Sequence, residues 1–552
     1  MRLIITIFCL VYGGSLLAQN DSTRTEKGEI LTGEVVIEKD KRIVLPQADK
    51  IFLRSSLKDY NNKPLNVSFD IREPNFEWPD YKSDVPFQTT EETYPEAAFQ
   101  NYVKLGYGNY NSPLLEAGLF HSIGKWDSQA KLYYESFKTG PVNADNSGNA
   151  EGGVALSSTY LQKSFTITPS LSFNQNRYKY YGNTNRVNAG FDSTDPERGT
   201  ITDFMTDLNL GWEKRDIEIT IRPHFSSTKQ SISPSNEGNS ENLFGTDAFL
   251  KYEIDEVFNA GLSINGYVAN YKGGLTYNRS LLNINPWVSH EKDKLSLRAG
   301  FILSSNMVNE VSETKIYPKI KADYSISENW TVFGTIEGGV QWNSLTNLFT
   351  QNSFLDDSLA IINTENTFSI GGGLEGNPVK NMLLRTSLTH FSLNGLPFFV
   401  PSSGDSSKYV LAYDTETINL LQFKSSISYM PNATSNYGMS LELNSYNLSS
   451  LDRPWHKPAY ILKAFTSHNI SEKLIVSAFF TSMGGIRGPA DVPFGYVKLP
   501  AFTDVGISAK YLLSPRSSVF IDVNNLLNNE YERYLGYPIR GLAFKIGGQY
   551  RF

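Results

Sequence analysis

The strongest constraint in this sequence is a period of two in the hydropathy of its side chains. In the segment 204–213 apolar side chains lie mainly at even positions, and in 217–222 three isoleucines alternate with polar residues. This pattern is typical of a β-strand with one apolar and one polar face. The same unit recurs from about Gln100 to Phe552, so most of the chain is predicted to be all-β.

The connections between these strands fall into two length classes. The tight, polar turns lie near residues 124–127, 162–164, 214–216, 255–256, 291–293, 327–329, 376–378, 431–433, 471–473 and 514–516, and the longer loops lie near 138–151, 176–203, 226–243, 304–314, 342–365, 392–415, 484–499 and 525–540. Short turns that alternate with long loops are typical of outer-membrane barrels, whose short turns are periplasmic. We therefore expect a transmembrane antiparallel up-and-down β-barrel of about 22 strands, each of roughly ten residues, with both barrel ends in the periplasm.

The mean hydropathy of −0.32 would by itself suggest a water-soluble protein. A barrel strand, however, faces lipid with one set of side chains and water with the other, so its average hydropathy is moderate. Beyond the first residues, no segment has the roughly 18 consecutive apolar residues that a spanning helix requires. A helical membrane architecture is therefore not expected.

The chain is predicted to have three parts. Residues 1–18 resemble a signal peptide, with Arg2 before an apolar stretch and Ala18 at the cleavage site. The single cysteine, Cys9, lies in that stretch, so the mature chain is expected to contain no thiol. Residues 19–97 are rich in Lys, Asp, Glu, Pro and Asn and alternate only briefly; we expect a periplasmic or lumenal extension. Residues 98–552 are expected to form the barrel.

Tryptophans give a second indication of a membrane barrel. Four lie near predicted short turns and two at the opposite ends of their strands, as expected for girdles at the two membrane interfaces. These are Trp126, Trp212, Trp287 and Trp330 near the turns, and Trp342 and Trp455 at the other end. The alternative is a set of tryptophans scattered through a soluble core.

The last strand ends on an aromatic carboxy terminus, with Tyr550 and Phe552 on its apolar face. Such an ending resembles the signal that the outer-membrane barrel-assembly machinery reads. The simpler interpretation is an amphipathic strand that closes the barrel against a first strand at Val103, Leu105 and Tyr107. The two interpretations are compatible.

The C-terminal region also resembles a known family. The strand Ser518–Val523, the segment Asn524-Asn525-Leu526-Leu527-Asn528 and the final strand from Gly541 look like the closing hairpin of TonB-dependent receptors. The resemblance extends over the barrel by strand count and over the last 35 or so residues by motif. It implies a receptor or transporter in the outer membrane of a Gram-negative cell, with TonB as the energy-coupling partner.

The sequence departs from this family at its N-terminus. A receptor of this type carries a plug domain of well over a hundred residues, and the segment 19–97 is too short to supply it. The nearest match to a TonB-contact strand is Glu34–Ile37, for which a short structural β-segment is the better explanation. A wide lumen without a filling would leak, so the extension, infolded loops or a partner protein should occlude it.

Charged residues on the polar face of the predicted strands are the candidates for function inside the barrel. They are expected to face the lumen, where they could dock the N-terminal segment or a partner, or could simply be solvated. These candidates are Asp207, Glu213, Glu218, Arg222, Asp247, Lys251 and Glu253.

No motif predicts catalysis, and we expect no cofactor and no metal site. The spacing Gly371-x-Gly373-x-x-Gly376 matches a dinucleotide fingerprint, but no helical pattern follows it, so a strand with small residues is the better interpretation. The six histidines have no metal-ligand spacing. An enzyme with a Ser/His/Asp group assembled across strands is the alternative that spacing cannot detect.

Two functions therefore remain open at this level. The first is a receptor-like barrel for transport or passage of a substrate across the outer membrane, with TonB coupling implied by the resemblance. The second is a non-transporting barrel subunit or scaffold of a larger outer-membrane complex. The expected partners are outer-membrane lipid, the assembly machinery, and TonB or another outer-membrane or periplasmic protein. The formal net charge of −7 argues against nucleic acid.

Overall fold

A computed structural model describes residues 101–142, 144–182, 196–235, 237–489, 495–529 and 531–552. The predicted signal peptide and N-terminal extension lie outside these residues. Twenty-two strands form one antiparallel sheet, in which each strand pairs with its neighbours in the chain and the last pairs with the first. The predicted closed up-and-down barrel is confirmed.

The barrel strands alternate with turns and loops in simple chain order. They are β1 (Tyr102–Gly108), β2 (Ser112–Ile123), β3 (Trp126–Phe137), β4 (Asn149–Gln162), β5 (Phe165–Lys179), β6 (Arg198–Lys214), β7 (Ile217–Ser233), β8 (Ser240–Glu253), β9 (Phe258–Lys272), β10 (Thr276–Lys292), β11 (Leu295–Val308), β12 (Val311–Ser327), β13 (Trp330–Gln341), β14 (Thr364–Gly376), β15 (Met382–Asn394), β18 (Ile418–Asn432), β19 (Ser435–Asn447), β20 (Tyr460–Asn469), β21 (Leu474–Gly484), β24 (Phe502–Leu512), β25 (Ser517–Asn524) and β28 (Ala543–Arg551).

The loops contain further short elements. These are a 3₁₀ turn (Ala144–Ser147), the helix α1 (Leu345–Gln351), and the small hairpins β16 (Phe398–Pro401) with β17 (Tyr409–Ala412), β22 (Arg487–Pro489) with β23 (Tyr496–Lys498), and β26 (Glu532–Tyr534) with β27 (Tyr537–Pro538). In the described part of the chain, no helix has the length and apolar character needed to cross a membrane.

The outer surface of the barrel is apolar. Large side chains such as Phe244, Val268 and Ile316 are 58%, 60% and 69% exposed, and Phe244 and Val268 are cross-strand neighbours. So much exposed apolar area is stable only against hydrocarbon, while the alternate positions face a polar interior. The period of two thus places the protein in the outer membrane as a spanning barrel.

The barrel closes between β28 and β1. Val103 pairs with Tyr550, Leu105 with Gly548, and Tyr107 with Ile546, which confirms the predicted closing contact. On the lumen side of this seam the ring of Phe520 lies directly over Gly106 and Gly547. A Cβ atom at Gly547 would lie 2.0 Å from the Leu105 carbonyl oxygen and 2.5 Å from that ring.

All ten predicted short turns connect adjacent strands on the side that carries the chain's C-terminus. The strands are longer than expected, with up to 17 residues in β6, β7, β10 and β12. Because a membrane crossing needs only about ten residues, the excess extends beyond the bilayer at the extracellular end. The barrel wall therefore continues above the membrane.

Three of the predicted loops need correction for the same reason. Residues 304–314 are not a loop, because β11 and β12 continue to a two-residue turn at Asn309 and Glu310, both with positive φ. Most of 226–243 belongs to β7 and β8, and 176–203 extends into β5 and β6. These strand ends contain many Ser, Thr, Asn and Gln because they line the interior, and this composition resembles that of a loop.

The glycines of Gly371-x-Gly373-x-x-Gly376 lie in the wall strand β14. A Cβ atom at Gly371 would lie 2.4 Å from the Thr389 hydroxyl, and one at Gly373 would lie 2.1 Å from the Thr386 carbonyl oxygen. Close packing in the sheet thus accounts for these glycines, as the sequence interpretation expected.

Gly547→Val should prevent closure of the barrel, since overpacking of this kind costs about 1–3 kcal/mol or more at the one contact that eliminates both sheet edges. We expect loss of the compact, heat-modifiable species on a gel and degradation of the variant in the membrane. Gly548→Val is the matched control, because its Cβ atom would meet nothing closer than 3.6 Å. Equal folding of the two variants would contradict this account of the seam.

Candidate functional site

The extracellular opening of the barrel is covered by its own long loops. The five connections 342–363, 395–417, 448–459, 485–501 and 525–542, as far as they are described, bend inward, and we call them the loop cap. Leu345, Leu348 and Phe349 of α1 are buried in one apolar cluster with wall residues that include Ile201 and Ile232. The cap is therefore packed against the inside of the wall.

The cap contacts the wall on several sides. A second cluster joins Phe398 and Trp455 of the cap to Phe391 of β15 and Leu420 of β18. A third joins Tyr531 and Ile539 of the cap to Phe502 of β24. The guanidinium of Arg540 lies 3.9 Å from the centre of the Phe137 ring on β3. With contacts distributed in this way, the cap spans the opening. The segment 448–459, which the sequence analysis did not recognise as a loop, is part of it.

Two tyrosines of the wall hold the backbone that follows α1. The Tyr271 hydroxyl donates to the Asp357 carbonyl oxygen (2.9 Å) and accepts from the Leu359 N–H (3.2 Å). The Tyr277 hydroxyl donates to the Leu359 carbonyl oxygen and accepts from the Ile361 N–H, both at 2.8 Å. The two rings stack at 4.7 Å. Between residues 357 and 361, phenol groups thus take the place of a strand partner, and we call residues 355–361 the strap.

The strap begins at a further polar contact in the apolar cluster. The Gln230 Nε2 lies 2.8 Å from the Leu355 carbonyl oxygen and 2.9 Å from each of the Tyr178 and Tyr180 hydroxyls, so these three acceptors share its two hydrogens. The three side chains and Leu355 are buried. Because a buried carbonyl without a partner is costly, this contact fixes where the strap enters the cluster.

A buried ion pair anchors the start of α1. Glu241 of β8 and Arg279 of β10 form a salt bridge in which both side chains are almost fully buried. The second carboxylate oxygen of Glu241 accepts from the Leu345 N–H (2.9 Å). Arg279 also donates to the Asn363 side chain (3.3 Å) and lies 4.3 Å from the centre of the Trp342 ring. One pair therefore fixes both ends of the connection 342–363.

His456 connects three parts of the cap. Its Nδ1 lies 2.8 Å from the Phe399 carbonyl oxygen, and its Nε2 accepts from the Leu535 N–H (3.3 Å). Because Nε2 accepts, the proton must be on Nδ1, and the ring is neutral. Burial lowers the pKa of His456 to about 4, against a smaller opposing effect of the Phe399 hydrogen bond. The histidine thus joins the three segments in its uncharged form.

Asp414 makes a separate connection between two cap segments. Its carboxylate accepts from the N–H groups of Ser449, Ser450 and Leu451 at 3.0–3.2 Å. Burial tends to raise the pKa of Asp414, but these donors and the Glu416 N–H outweigh it and hold the pKa at about 2. This contact needs the charged carboxylate, whereas the His456 contact needs the neutral ring.

A polar cleft of about 200 Å³ lies between the cap and the wall strands β11–β15. At its centre Glu365 accepts from the Tyr317 hydroxyl (2.7 Å) and from Lys315 (3.1 Å to each oxygen). Asn394 adds a fourth contact at 3.3 Å. These four groups all belong to wall strands and satisfy one another, so they connect β12, β14 and β15 on the wall side of the cleft.

The charged residues predicted to face the lumen lie at inward-facing positions of β6, β7 and β8, and the structure brings three of them together. Arg222 Nε lies 3.1 Å from the Asp207 carboxylate, and Arg222 pairs across the strands with Asp247. The other four, Glu213, Glu218, Lys251 and Glu253, lie near the periplasmic turns, where Lys251 contacts Glu253 at 2.9 Å. Their role in docking a segment or partner stays a prediction.

The predicted interface aromatics divide into two groups. Trp126 is exposed, and Trp212 and Trp330 are partly exposed; their interface role stays a prediction. Trp287 and Trp342 are buried on the inward side, where Trp287 stacks on Phe249 and Trp342 on Tyr267. These two do not lie on the lipid-facing surface.

Trp455 also packs inside, in the second cap cluster. Proximity to a strand end, which the sequence analysis used for all these tryptophans, does not give the side of the wall. The final Tyr550 and Phe552 are exposed and stack at 6.4 Å. Their role as an assembly signal stays a prediction.

No protein-family profile matches the sequence, and no curated protein matches it. Solved structures do match. The FrpB iron transporter from Neisseria meningitidis superimposes with a TM-score of 0.65 at 11% identity, over 82% of this chain and 81% of that chain. The ferric-catecholate import receptor Fiu from E. coli K12, in its closed form, has a TM-score of 0.63 at 11% identity, over 84% and 83%.

The copper transporter OprC has a TM-score of 0.62 at 11% identity, over 84% of this chain and 82% of that chain. At such identities the likeness establishes the fold. The sequence resemblance, strand count, closing hairpin and superposition agree: the chain has the 22-stranded outer-membrane barrel fold of TonB-dependent receptors.

Proposed function

We propose that this barrel is an outer-membrane receptor that passes a solute across the membrane when its loop cap moves. The observation that carries the proposal is the cap itself, which spans the opening of a wide barrel with a polar interior. A 22-stranded barrel without a filling would leave an aqueous lumen. A cap held from the wall keeps that lumen closed on the outside and can be released.

The identity of the solute does not follow from the barrel neighbours. Their titles name iron, a ferric-catecholate and copper as what those proteins handle. In the described residues of this chain, no group of three or more His, Cys, Asp or Glu side chains is placed to hold a metal ion.

Opening the cap has a considerable cost. It separates Glu241 from α1, releases the strap from Tyr271 and Tyr277, and exposes the apolar cluster. Each of these hydrogen bonds contributes about 0.5–1.5 kcal/mol to closure, and each large apolar side chain of the cluster that becomes exposed adds about 1.5–3 kcal/mol. This cost favours an energised mechanism over thermal opening, and we propose TonB as the coupling partner on the periplasmic side.

The same rigidity supports a second candidate function. A cap fixed by a buried ion pair and a dry cluster is also what a permanently closed barrel would need. The alternative is a non-transporting subunit of a larger outer-membrane complex, in which the cap offers a docking surface. The two functions differ in whether the cap must move.

Removal of the two strap hydroxyls should loosen the cap. In Tyr271→Phe/Tyr277→Phe, the N–H groups of Leu359 and Ile361 and the Leu359 carbonyl lose their partners while buried, at about 1–3 kcal/mol for each unsatisfied group. We expect more frequent channel openings in planar bilayers. Tyr252→Phe is the control, because Tyr252 is exposed. Conductance equal to that of the wild type would show that the strap does not close the lumen.

A reversible lock distinguishes the two functions. The hydroxyls of Thr228 on β7 and Thr346 on α1 are 2.5 Å apart, and the predicted mature chain has no cysteine, so Thr228→Cys/Thr346→Cys offers a single disulfide. If the cap must move, the oxidised lock should reproduce the growth defect of a deletion strain, with reversal by a reductant. Each single cysteine is a control.

Normal growth of the locked strain would instead support the scaffold function. In that case, proteins cross-linked to the barrel in native membranes should be unchanged by the lock and lost only on deletion.

Acid should weaken the cap in two separate steps. The pKa of His456 in the closed cap is about 4, below its ordinary value of 6.5, so the open state binds more protons between these values. The contribution of neutral His456 to the free energy of closure is therefore fully present above pH 6.5. It falls by roughly 3 kcal/mol as the pH falls to 4. The Asp414 contribution is lost only below pH 3.8, as the pH approaches 2.

Bilayer conductance between pH 7 and 4 tests the first step. His456→Gln keeps an amide donor and acceptor but does not titrate, so its conductance should be flat over this range. His121→Gln, at an exposed position, should behave like the wild type. A flat profile for the wild type would exclude His456 as a determinant of closure.

A further inference from the structure

Five cations lie close together on the described part of the loop cap. Arg453 and Lys457 belong to 448–459, Arg487 and Lys498 to the β22–β23 hairpin, and Arg533 to β26. The backbone connects these segments, because the His456 N–H donates to the Arg487 carbonyl oxygen (2.9 Å) and the Leu535 N–H donates to His456. We call these five residues, together with Tyr496, the basic patch.

Two guanidinium groups share one aromatic ring in this patch. The guanidinium carbons of Arg453 and Arg487 lie 5.2 Å and 5.4 Å from the centre of the Tyr496 ring. Tyr496 is 47% exposed, so the ring presents both cations at the surface. Their separation is no more than about one Debye length at 0.1 M salt, and the two charges repel each other.

A second pair of like charges faces across the small hairpin. Arg487 of β22 and Lys498 of β23 are direct partners in the register. Like charges at opposite positions of a two-stranded sheet are destabilising. Lys498 is exposed, so an anion from solution can reach this pair and remove the repulsion.

The third pair is more deeply placed. Burial lowers the pKa of Lys457, and the nearby charge of Arg533 lowers it further, to about 8. Lys457 Nζ donates to the Gln351 side-chain oxygen (3.3 Å) and lies 5.6 Å from the centre of the Phe399 ring. Within the described residues, no salt bridge joins any of the five cations to a carboxylate.

The described carboxylates of these segments do not balance the charge. Glu532 is buried and accepts from the Gly536 N–H (2.9 Å), and Asp452 is exposed beside Arg453. Among the described residues of these segments, five cations therefore lie near two carboxylates, in a chain whose formal net charge is −7. A cluster of positive charge on a chain of net negative charge points to an anionic ligand.

We propose that the basic patch binds a multivalent oxyanion, a molecule with two or more phosphate or carboxylate groups, on the extracellular face of the cap. Guanidinium groups bind such oxygens in a bidentate manner, which gives both strength and orientation. Three like-charged pairs need more than one acid group to neutralise them. The ligand is either a soluble polyanion or the phosphorylated headgroup of a lipid in the outer leaflet. The proposal holds whether or not the barrel transports.

The test uses the full-length protein in neutral detergent and two probes. These are inorganic triphosphate, measured by calorimetry, and lipid A, measured by binding to vesicles of phosphatidylcholine with and without it. The variant is Arg453→Gln/Lys498→Gln, in which both altered side chains are exposed. Lys272→Gln is the matched control, with an exposed lysine at the extracellular end of β9. Heat-modifiable migration confirms that each variant is folded.

For at least one probe, we expect an affinity at least tenfold lower in the double variant than in the wild type and the control, and weaker binding at high salt. Loss of triphosphate binding identifies a soluble ligand, and loss of lipid A binding alone identifies a lipid headgroup. Absence of binding to both probes, or binding that the double variant retains, would overturn the proposal. Because the measurement involves no passage of solute, its failure leaves the proposed transport untouched.

Discussion

Closure of the sheet is the constraint on which the rest of this structure depends. In hydrocarbon a strand edge would leave a row of N–H and C=O groups without partners, and each would cost several kcal/mol. The contact between β28 and β1 removes the last two edges. It requires glycine at 547, because the Phe520 ring and the Leu105 carbonyl occupy the space that a side chain would need. A local steric detail thus supports the whole membrane-spanning sheet.

Closure with this many strands creates a second problem, which is the width of the lumen. Two kinds of inward-facing side chain occupy the lumen, one near the periplasmic turns and the other at the extracellular end. Near the periplasmic turns the inward positions are charged, as with Lys251 and Glu253, and they can remain hydrated. At the extracellular end the inward positions include Ile201, Ile232 and the tyrosines that hold the strap, and there the wall packs against protein. The long strands make this second zone possible.

The sequence predicts the wall well because the wall depends on local rules. The alternation of apolar and polar residues gives the two faces of each strand. The lengths of the turns give the order of the strands and the side on which each connection lies. The strand number, the ten short turns and the closing contact follow from these two patterns. The cap depends on contacts between distant residues. Nothing near Gln230 indicates that its amide will bond Leu355, 125 positions along the chain.

Burial on the inward side also looks different from what hydropathy suggests. Thr228 and Gln230 are buried against Thr346 of α1 and Leu355 of the strap, so this buried strand end has the polar composition of a loop. Trp287 and Trp342 show the reverse case, in which aromatic side chains near strand ends lie inside the barrel. Their parity was readable in the sequence, and it is a better guide than proximity to a turn. No sequence pattern identifies Arg279 as part of a buried ion pair, because its partner Glu241 lies two strands away in the chain.

The bonds that hold the strap explain how a rigid cap can still open. While the cap is closed, each hydroxyl of Tyr271 and Tyr277 bonds one N–H and one carbonyl of the strap. Once the strap leaves the wall, water replaces the tyrosines, so each hydrogen bond contributes only about 0.5–1.5 kcal/mol to closure. Intermediate positions satisfy neither set of groups and are therefore the most costly. The cap should accordingly behave as a two-state element, closed with high order or open to water, which is the property that a gate requires.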